Sequence, residues 1–205
     1  MRPTASTFGF ALVPHFLCGV FAFGVVCLAG LNPPDAAPKV KATMSIVSSV
    51  DSIEPDKSFE VAVRFEIVDG WHMYWKNPGD SGMPPILKWD LPEGFVASEP
   101  RFPVPTIYKH TGGTDYIHER ELVLLVTISP GKNVGPVSQM GVKGDWLVCD
   151  IEKCLPESGE TKLSLKRCEV GKSAGMTDQA KFAAWRAAVP ASDEEAMQKA
   201  QAKRN

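Results

Sequence analysis

The sequence predicts an all-β domain, an antiparallel β-sandwich followed by a short C-terminal helical tail. Three observations lead there. Apolar and polar residues alternate with period two through several short segments, the pattern of half-buried strands. Seventeen prolines and seventeen glycines in 205 residues mark turns between those segments. No helical pattern separates one strand from the next, which argues against a parallel α/β arrangement.

Taken in order, the first strand is expected over Ala42 to Val50, with Met44 and Ile46 facing inward. Phe59, Val61, Val63, Phe65 and Ile67 alternate with Glu60, Ala62, Arg64 and Glu66 and define the second. Trp71 to Trp75 is a short aromatic strand bounded by Gly70 and by Asn77-Pro78-Gly79, and Ile86 to Leu91 is another, closed by Pro92-Glu93-Gly94. Arg120 to Ser129 alternates through Leu122, Leu124, Val126 and Ile128, and its other face carries Val123 and Leu125, so this strand is expected to be covered on both sides. After a turn at Pro130-Gly131-Lys132-Asn133, Val137 to Val148 runs into a loop holding two cysteines, and Thr161 to Val170 closes the set. In the tail, Thr177 is placed to cap a helix carrying Phe182, Trp185 and Val189, which Pro190 stops. Ser192 and Glu195 form a capping-box pattern for a second, mostly polar helix reaching Asn205. The first helix is expected to dock on the sheets and the second to be solvated.

The domain plan is therefore an export signal or membrane anchor over 1–31, a proline-rich linker over 32–39, the sandwich over 40–172 and the helical tail over 173–205. After Arg2, no charged residue occurs from Pro3 to Pro34, and Phe8 to Leu31 is apolar. A positive start followed by an apolar stretch is the pattern of a secretory signal, with Ala29 and Ala37 as candidate cleavage positions. The run exceeds the roughly 7–15 residues of a signal core and approaches the ~20 that span a bilayer, so an uncleaved anchor stays open. So does a lipoprotein at Cys27, although Val26 departs from the small residue expected before it. Each alternative puts the domain in the periplasm or another extracytoplasmic space, where disulfides persist. A net charge of −2 with no basic block argues against nucleic acid as a partner.

Of five cysteines, two lie in the N-terminal apolar segment; Cys149 and Cys154 share one loop and Cys168 stands alone. Thiols four residues apart can close a disulfide where the chain turns, because their Cα atoms must approach within about 7 Å. Three readings follow from the spacing: a structural staple, a redox pair that cycles by thiolate attack, and a metal site. So small a ring stabilises a fold by only about 2 kcal/mol on the chain-entropy model. Lys153 favours a thiolate at Cys154, whereas Asp150 and Glu152 oppose it.

The string Gly70-Trp71-His72-Met73-Tyr74-Trp75-Lys76-Asn77-Pro78-Gly79-Asp80-Ser81-Gly82-Met83-Pro84-Pro85, with Trp89-Asp90-Leu91-Pro92-Glu93-Gly94 and Asp145-Trp146-Leu147-Val148-Cys149, resembles the N-terminal periplasmic domain of the DsbD and ScsB thiol:disulfide interchange proteins. The blocks fall in family order over roughly residues 40 to 170. The resemblance implies an immunoglobulin-like sandwich with a redox pair at one edge, a component of a protein-disulfide reductase system. Cys149 and Cys154 match the pair, Cys154 being the cysteine attacked in mixed disulfides and Cys149 the resolving partner. A membrane-embedded thiol reductase is the implied electron donor and periplasmic disulfide-carrying proteins are the acceptors. The sequence ends at Asn205 without further membrane helices or a C-x-x-C, so the donor is expected to act in trans. An aromatic cap over the pair is implied within Ile107 to His118, with Tyr108 and Tyr116 as candidates; Trp146 and Asp80 are further candidates for supporting the site.

Cys168 reads as a buried free thiol. The alternative function is a non-catalytic sandwich with a structural disulfide that binds a protein partner or a soft metal. In that case His72, His110 or His118 would join the thiolates around copper or zinc. No Ser-His-Asp arrangement, phosphate loop or pair of catalytic carboxylates is present, and no cofactor is expected.

Overall fold

The computed structural model describes residues 40–204, so every expectation about the N-terminal signal, the anchor, the linker, Cys18, Cys27 and Asn205 lies outside the described residues. Within that range the chain is a mostly β domain with a short C-terminal helical tail. Its elements are β1 (Ala42–Ser48), β2 (Ser52–Ile53), β3 (Phe59–Ile67), β4 (His72–Gly79), β5 (Ile86–Asp90), β6 (Val96–Ala97), β7 (Thr106–His110), β8 (Gly113–Glu119), β9 (Glu121–Ser129), β10 (Val137–Cys149), β11 (Cys154–Arg167), α1 (Gln179–Ala188) and α2 (Asp193–Arg204).

Two sheets face each other. One has the order β1-β3-β9-β6; the other runs β2-β11-β10-β4-β8-β7, with β5 paired to β10 beside β4. The period-two pattern explains which side chains meet between them. Val63, Phe65, Leu122 and Leu124 from the first sheet pack against Met73, Trp75, Val142, Trp146 and Val148 from the second. The opposite face of β3 and β9 offers Ala62, Val123 and Leu125, and α1 covers these with Phe182. Both-sided burial of β9 and docking of the first helix therefore hold.

Several expectations need correction. Pairing is not purely antiparallel: β2 runs parallel to the end of β11, Ser52 opposite Lys166 and Ile53 opposite Arg167. The sheets are mixed and do not close as an immunoglobulin-like sandwich. The segment expected to be a cap loop is a hairpin, β7 and β8, turning at Thr111 and Gly112. The last strand begins at Cys154, not Thr161. Pro156 and Gly159 look like breaks in sequence, yet Pro156 lies opposite Leu147 on β10. It is tolerated because β11 meets β2 only at Lys166 and Arg167, which leaves its other side free of ladder bonds at Pro156.

The tail differs too. Thr177 does not cap α1: its amide donates to the Ser49 carbonyl at 2.9 Å and its hydroxyl to that of Ser48, tying the chain to the end of β1. The N-cap is Asp178, in left-handed backbone with no side-chain cap bond. The second helix is not solvated all round. Its start is capped as expected, the Ser192 hydroxyl accepting from the Glu195 amide at 3.2 Å, while the Glu195 carboxylate accepts from the Ala191 amide. Ala196 and Ala200 are buried, and Ala196 belongs to the main core. Alanine leaves little side chain between helix and sheet, so a polar helix can dock through one narrow stripe.

Candidate functional site

Cys149 ends β10 and Cys154 begins β11. The two are direct cross-strand partners, and Asp150 to Lys153 make the hairpin turn between them. Asp150 builds that turn. Its Oδ1 accepts from the Glu152 and Lys153 amides, both at 2.8 Å, and its own amide donates to the Lys153 carbonyl at 3.0 Å. Those two amide bonds hold the Asp150 carboxyl below its ordinary pKa. Register brings the Cα atoms of the cysteines to 4.1 Å, and they form a disulfide.

The two sulfurs differ in surroundings. Cys149 is 1% exposed whereas Cys154 is exposed. Cys149 lies opposite His72 on β4, and alternation puts His72, Tyr74 and Cys149 on the outer face of the second sheet, with Trp71, Met73 and Trp75 inside. The pleat thus explains the aromatic string around residues 71 to 75: every other residue builds the core, and the residues between build the site.

Tyr74 is the residue in direct contact. Its hydroxyl donates to Cys149 Sγ at 3.1 Å and lies 3.9 Å from Cys154 Sγ. Burial pushes the phenol pKa up, outweighing the opposing effect of the neighbouring Ser81 hydroxyl, with Asp115 and Tyr108 adding to the rise, so Tyr74 keeps its proton at neutral pH. His72 packs edge-on to Tyr74, ring centroids 5.4 Å apart, and Tyr108 lies between the rings of His72 (5.4 Å) and His110 (5.6 Å). Burial lowers the His72 pKa and leaves it neutral. These side chains, with Ser81, Asp115 and the cysteine turn, line an open cavity of about 280 Å³.

Asp115 joins the walls. It is 2% exposed. Its Oδ1 accepts from the Ser81 amide at 2.8 Å, and its Oδ2 accepts from the Ser81 hydroxyl and from His110 Nε2 at 3.0 Å. Burial pushes this carboxyl up, but the Ser81 bonds and His110 outweigh it and the pKa is lowered. The Gly112 amide donates to His110 Nδ1 at 3.1 Å, so the proton of the neutral ring sits on Nε2, toward Asp115.

Of the residues singled out in the sequence, Cys149, Cys154, Tyr108, His72 and His110 meet at this cavity. Tyr116 does not: it alternates to the inner face of β8 and packs on Trp75. Trp146 lies in the main core, edge-on to Phe65, its indole N–H donating to Glu157 at 3.3 Å. Asp80 accepts from the Thr114 amide at 2.7 Å and pins the loop after β4 to β8; the carboxylate that lines the cavity is Asp115. Cys168 is half-exposed rather than buried, its thiol donating to the Lys172 carbonyl at 3.1 Å. It follows the far end of β11, about 45 Å along the chain from Cys154 at ~3.4 Å per residue, so it cannot share a metal with the pair. His72 and His110 reach the cavity but His118 faces inward. Among the described residues no group of three or more His, Cys, Asp or Glu is placed to hold a metal. Sequence reasoning missed Tyr74, Ser81 and Asp115 as site residues. The signal for Tyr74 was its place in the alternation, on the face opposite the tryptophans; nothing in the sequence marked the other two.

The site is thus a disulfide closing a hairpin beside an aromatic-lined cavity, with one cysteine buried and the other exposed. Residues 42–166 match the family model described as thiol:disulfide interchange protein DsbD, N-terminal, and the chain belongs to that family. It is similar in fold to the N-terminal periplasmic domain of ScsB from Proteus mirabilis, with a TM-score of 0.52 and 16% identity over 78% of this chain and 57% of that one. The chain thus spans little more than half of that structure. The reduced N-terminal domain of DsbD from Neisseria meningitidis matches with a TM-score of 0.38 and 20% identity, over 72% of this chain and 96% of that one. No curated protein matches the chain.

Proposed function

We propose that this is an exported, periplasmic thiol:disulfide interchange domain in which Cys149 and Cys154 cycle between disulfide and dithiol. Electrons would come from a membrane-embedded thiol reductase and pass to disulfide-carrying proteins. The observation that carries this reading is the asymmetry of the pair. Cys154 is open to a partner's sulfur, and Cys149 is buried beneath a protonated tyrosine that donates to it.

The chemistry follows from that asymmetry. A donor thiolate attacks Cys154 Sγ, forming the mixed disulfide and breaking the Cys149–Cys154 bond, whose electron pair leaves on Cys149. The Tyr74 hydroxyl stabilises that thiolate as it forms, and hydrogen bonds to charged groups are about twice as strong as neutral ones. The donor's second thiolate then attacks its own sulfur in the mixed disulfide and releases Cys154. Two electrons and two protons enter the domain, and the reverse sequence hands them to an acceptor. Tyr74 covers Cys149, whose sulfur is buried, so a partner's sulfur approaches at Cys154.

The test is trapping. Cys149→Ala removes the resolving thiol, so Cys154 should accumulate mixed disulfides with partner proteins in periplasmic extracts. A reduced, accessible Cys154 that forms no adducts rules the exchange role out. The reduction potential separates this reading from a staple, since a structural bond lies below about −300 mV.

A further inference from the structure

We propose that Asp115 is the positioning residue of the exchange site, a single buried carboxylate that holds Tyr74 in hydrogen-bonding contact with Cys149. The proposal rests on the exchange reading above and adds what keeps its geometry fixed. Tyr74 ends the regular part of β4, because the pairing with β8 shifts between Tyr74 and Gly79. The strand itself therefore does not hold its ring against the disulfide from above; the loop that follows does. Gly82, the residue after Ser81, lies so close on the ring that an added Cβ would stand 2.2 Å from Tyr74 Cζ, so the loop at Ser81 and Gly82 backs the phenol.

That loop is anchored by Asp115. One oxygen takes the Ser81 amide and the other takes the Ser81 hydroxyl. The same carboxylate takes His110 Nε2, whose ring stacks on Tyr108 on the other side of the cavity. A buried carboxylate with three donors is satisfied where it stands and costly to displace, since it is the desolvated charge itself that would lose its partners. Asp115 therefore fixes two walls of the site at once without touching either sulfur.

The experiment follows the rate at which dithiothreitol reduces the Cys149–Cys154 disulfide in wild type, Asp115→Ala, Tyr74→Phe and the double variant, with near-UV circular dichroism confirming the fold. Tyr74→Phe should slow reduction about tenfold, the size of one charge-assisted hydrogen bond to the leaving thiolate. Asp115→Ala should slow it by a similar factor, and the double variant should be no slower than Tyr74→Phe alone, because Asp115 acts through Tyr74. An unchanged rate in Asp115→Ala overturns the proposal, and so does a double variant slowed by the product of the two factors. Should Asp115→Ala not fold, Asp115→Asn replaces it. That variant keeps the shape but withdraws one acceptor oxygen, and a slowing of about threefold that vanishes in the Tyr74→Phe background is expected; a wild-type rate refutes. Failure of the exchange reading would show differently, as loss of protein adducts at Cys154 with these rate effects intact.

Discussion

Replacing Gly82 by alanine tests the packing of the site most directly. At Gly82 φ is +77°, and an added Cβ would meet Tyr74 at 2.2 Å from Cε1 and Cζ and 2.5 Å from Cδ1. Carbon atoms rest at about 3.5–4.0 Å, so the overlap exceeds an ångström against three ring atoms. The ring has no room to retreat, being 2% exposed and packed with Ile117 and Cys149. Left-handed backbone costs an L-residue roughly 1–2 kcal/mol, and overpacking adds about 1–3 kcal/mol. A total of about 2–5 kcal/mol is a large share of the ~5–15 kcal/mol that stabilises a typical domain. Gly171→Ala separates the two contributions, because Gly171 has φ +80° with nothing within 4 Å of the added Cβ and should lose only the backbone part. Urea unfolding of the oxidised proteins measures both variants, and dithiothreitol kinetics should show Gly82→Ala alone reduced more slowly as the phenol is pushed off Cys149. If Gly82→Ala matches Gly171→Ala in both measurements, Gly82 does not press on Tyr74 and the reasoning fails.

Two further predictions concern the rest of the fold. Burial lowers the His118 pKa from 6.5 to about 3, with Lys203 adding to the effect. The unfolded chain then binds the proton more readily, so the associated stability is complete above about pH 6.5 and is lost as pH falls toward 3, by up to ~5 kcal/mol. His118→Leu should lose less stability than wild type between pH 7 and pH 4 in urea titrations; equal losses would clear His118 of any part. Ala196→Leu should destabilise by about 1–3 kcal/mol through overpacking, whereas Gln198→Leu on the exposed side should stay within about 0.5 kcal/mol. Equal effects at the two positions would mean that α2 is not docked.

The strands at 42–48, 59–67, 86–90, 121–129 and 137–149 were legible in the sequence because their alternation is local: each residue's face follows from its neighbour's. The cysteine pair was legible by spacing, and its family by the aromatic string around Trp71 to Trp75. Long-range register was not legible. Nothing local says that Glu157, near the start of β11, accepts the Lys41 and Ala42 amides at 2.7 and 3.0 Å and makes a strand from a stretch containing Pro156 and Gly159. Nothing local says that residues 106–119 are a hairpin, since only its pairing with β4 gives it a buried face. The site shows the same division. Cys149 and Cys154 are near neighbours in sequence, but Tyr74 reaches them across 75 residues and Asp115 reaches Ser81 across 34. The sequence by itself determined that Cys149 and Cys154 stand close enough along the chain to be joined. Tertiary structure alone decided which sulfur is open and which lies under a phenol, because burial and hydrogen bonding depend on strands brought together from distant parts of the chain.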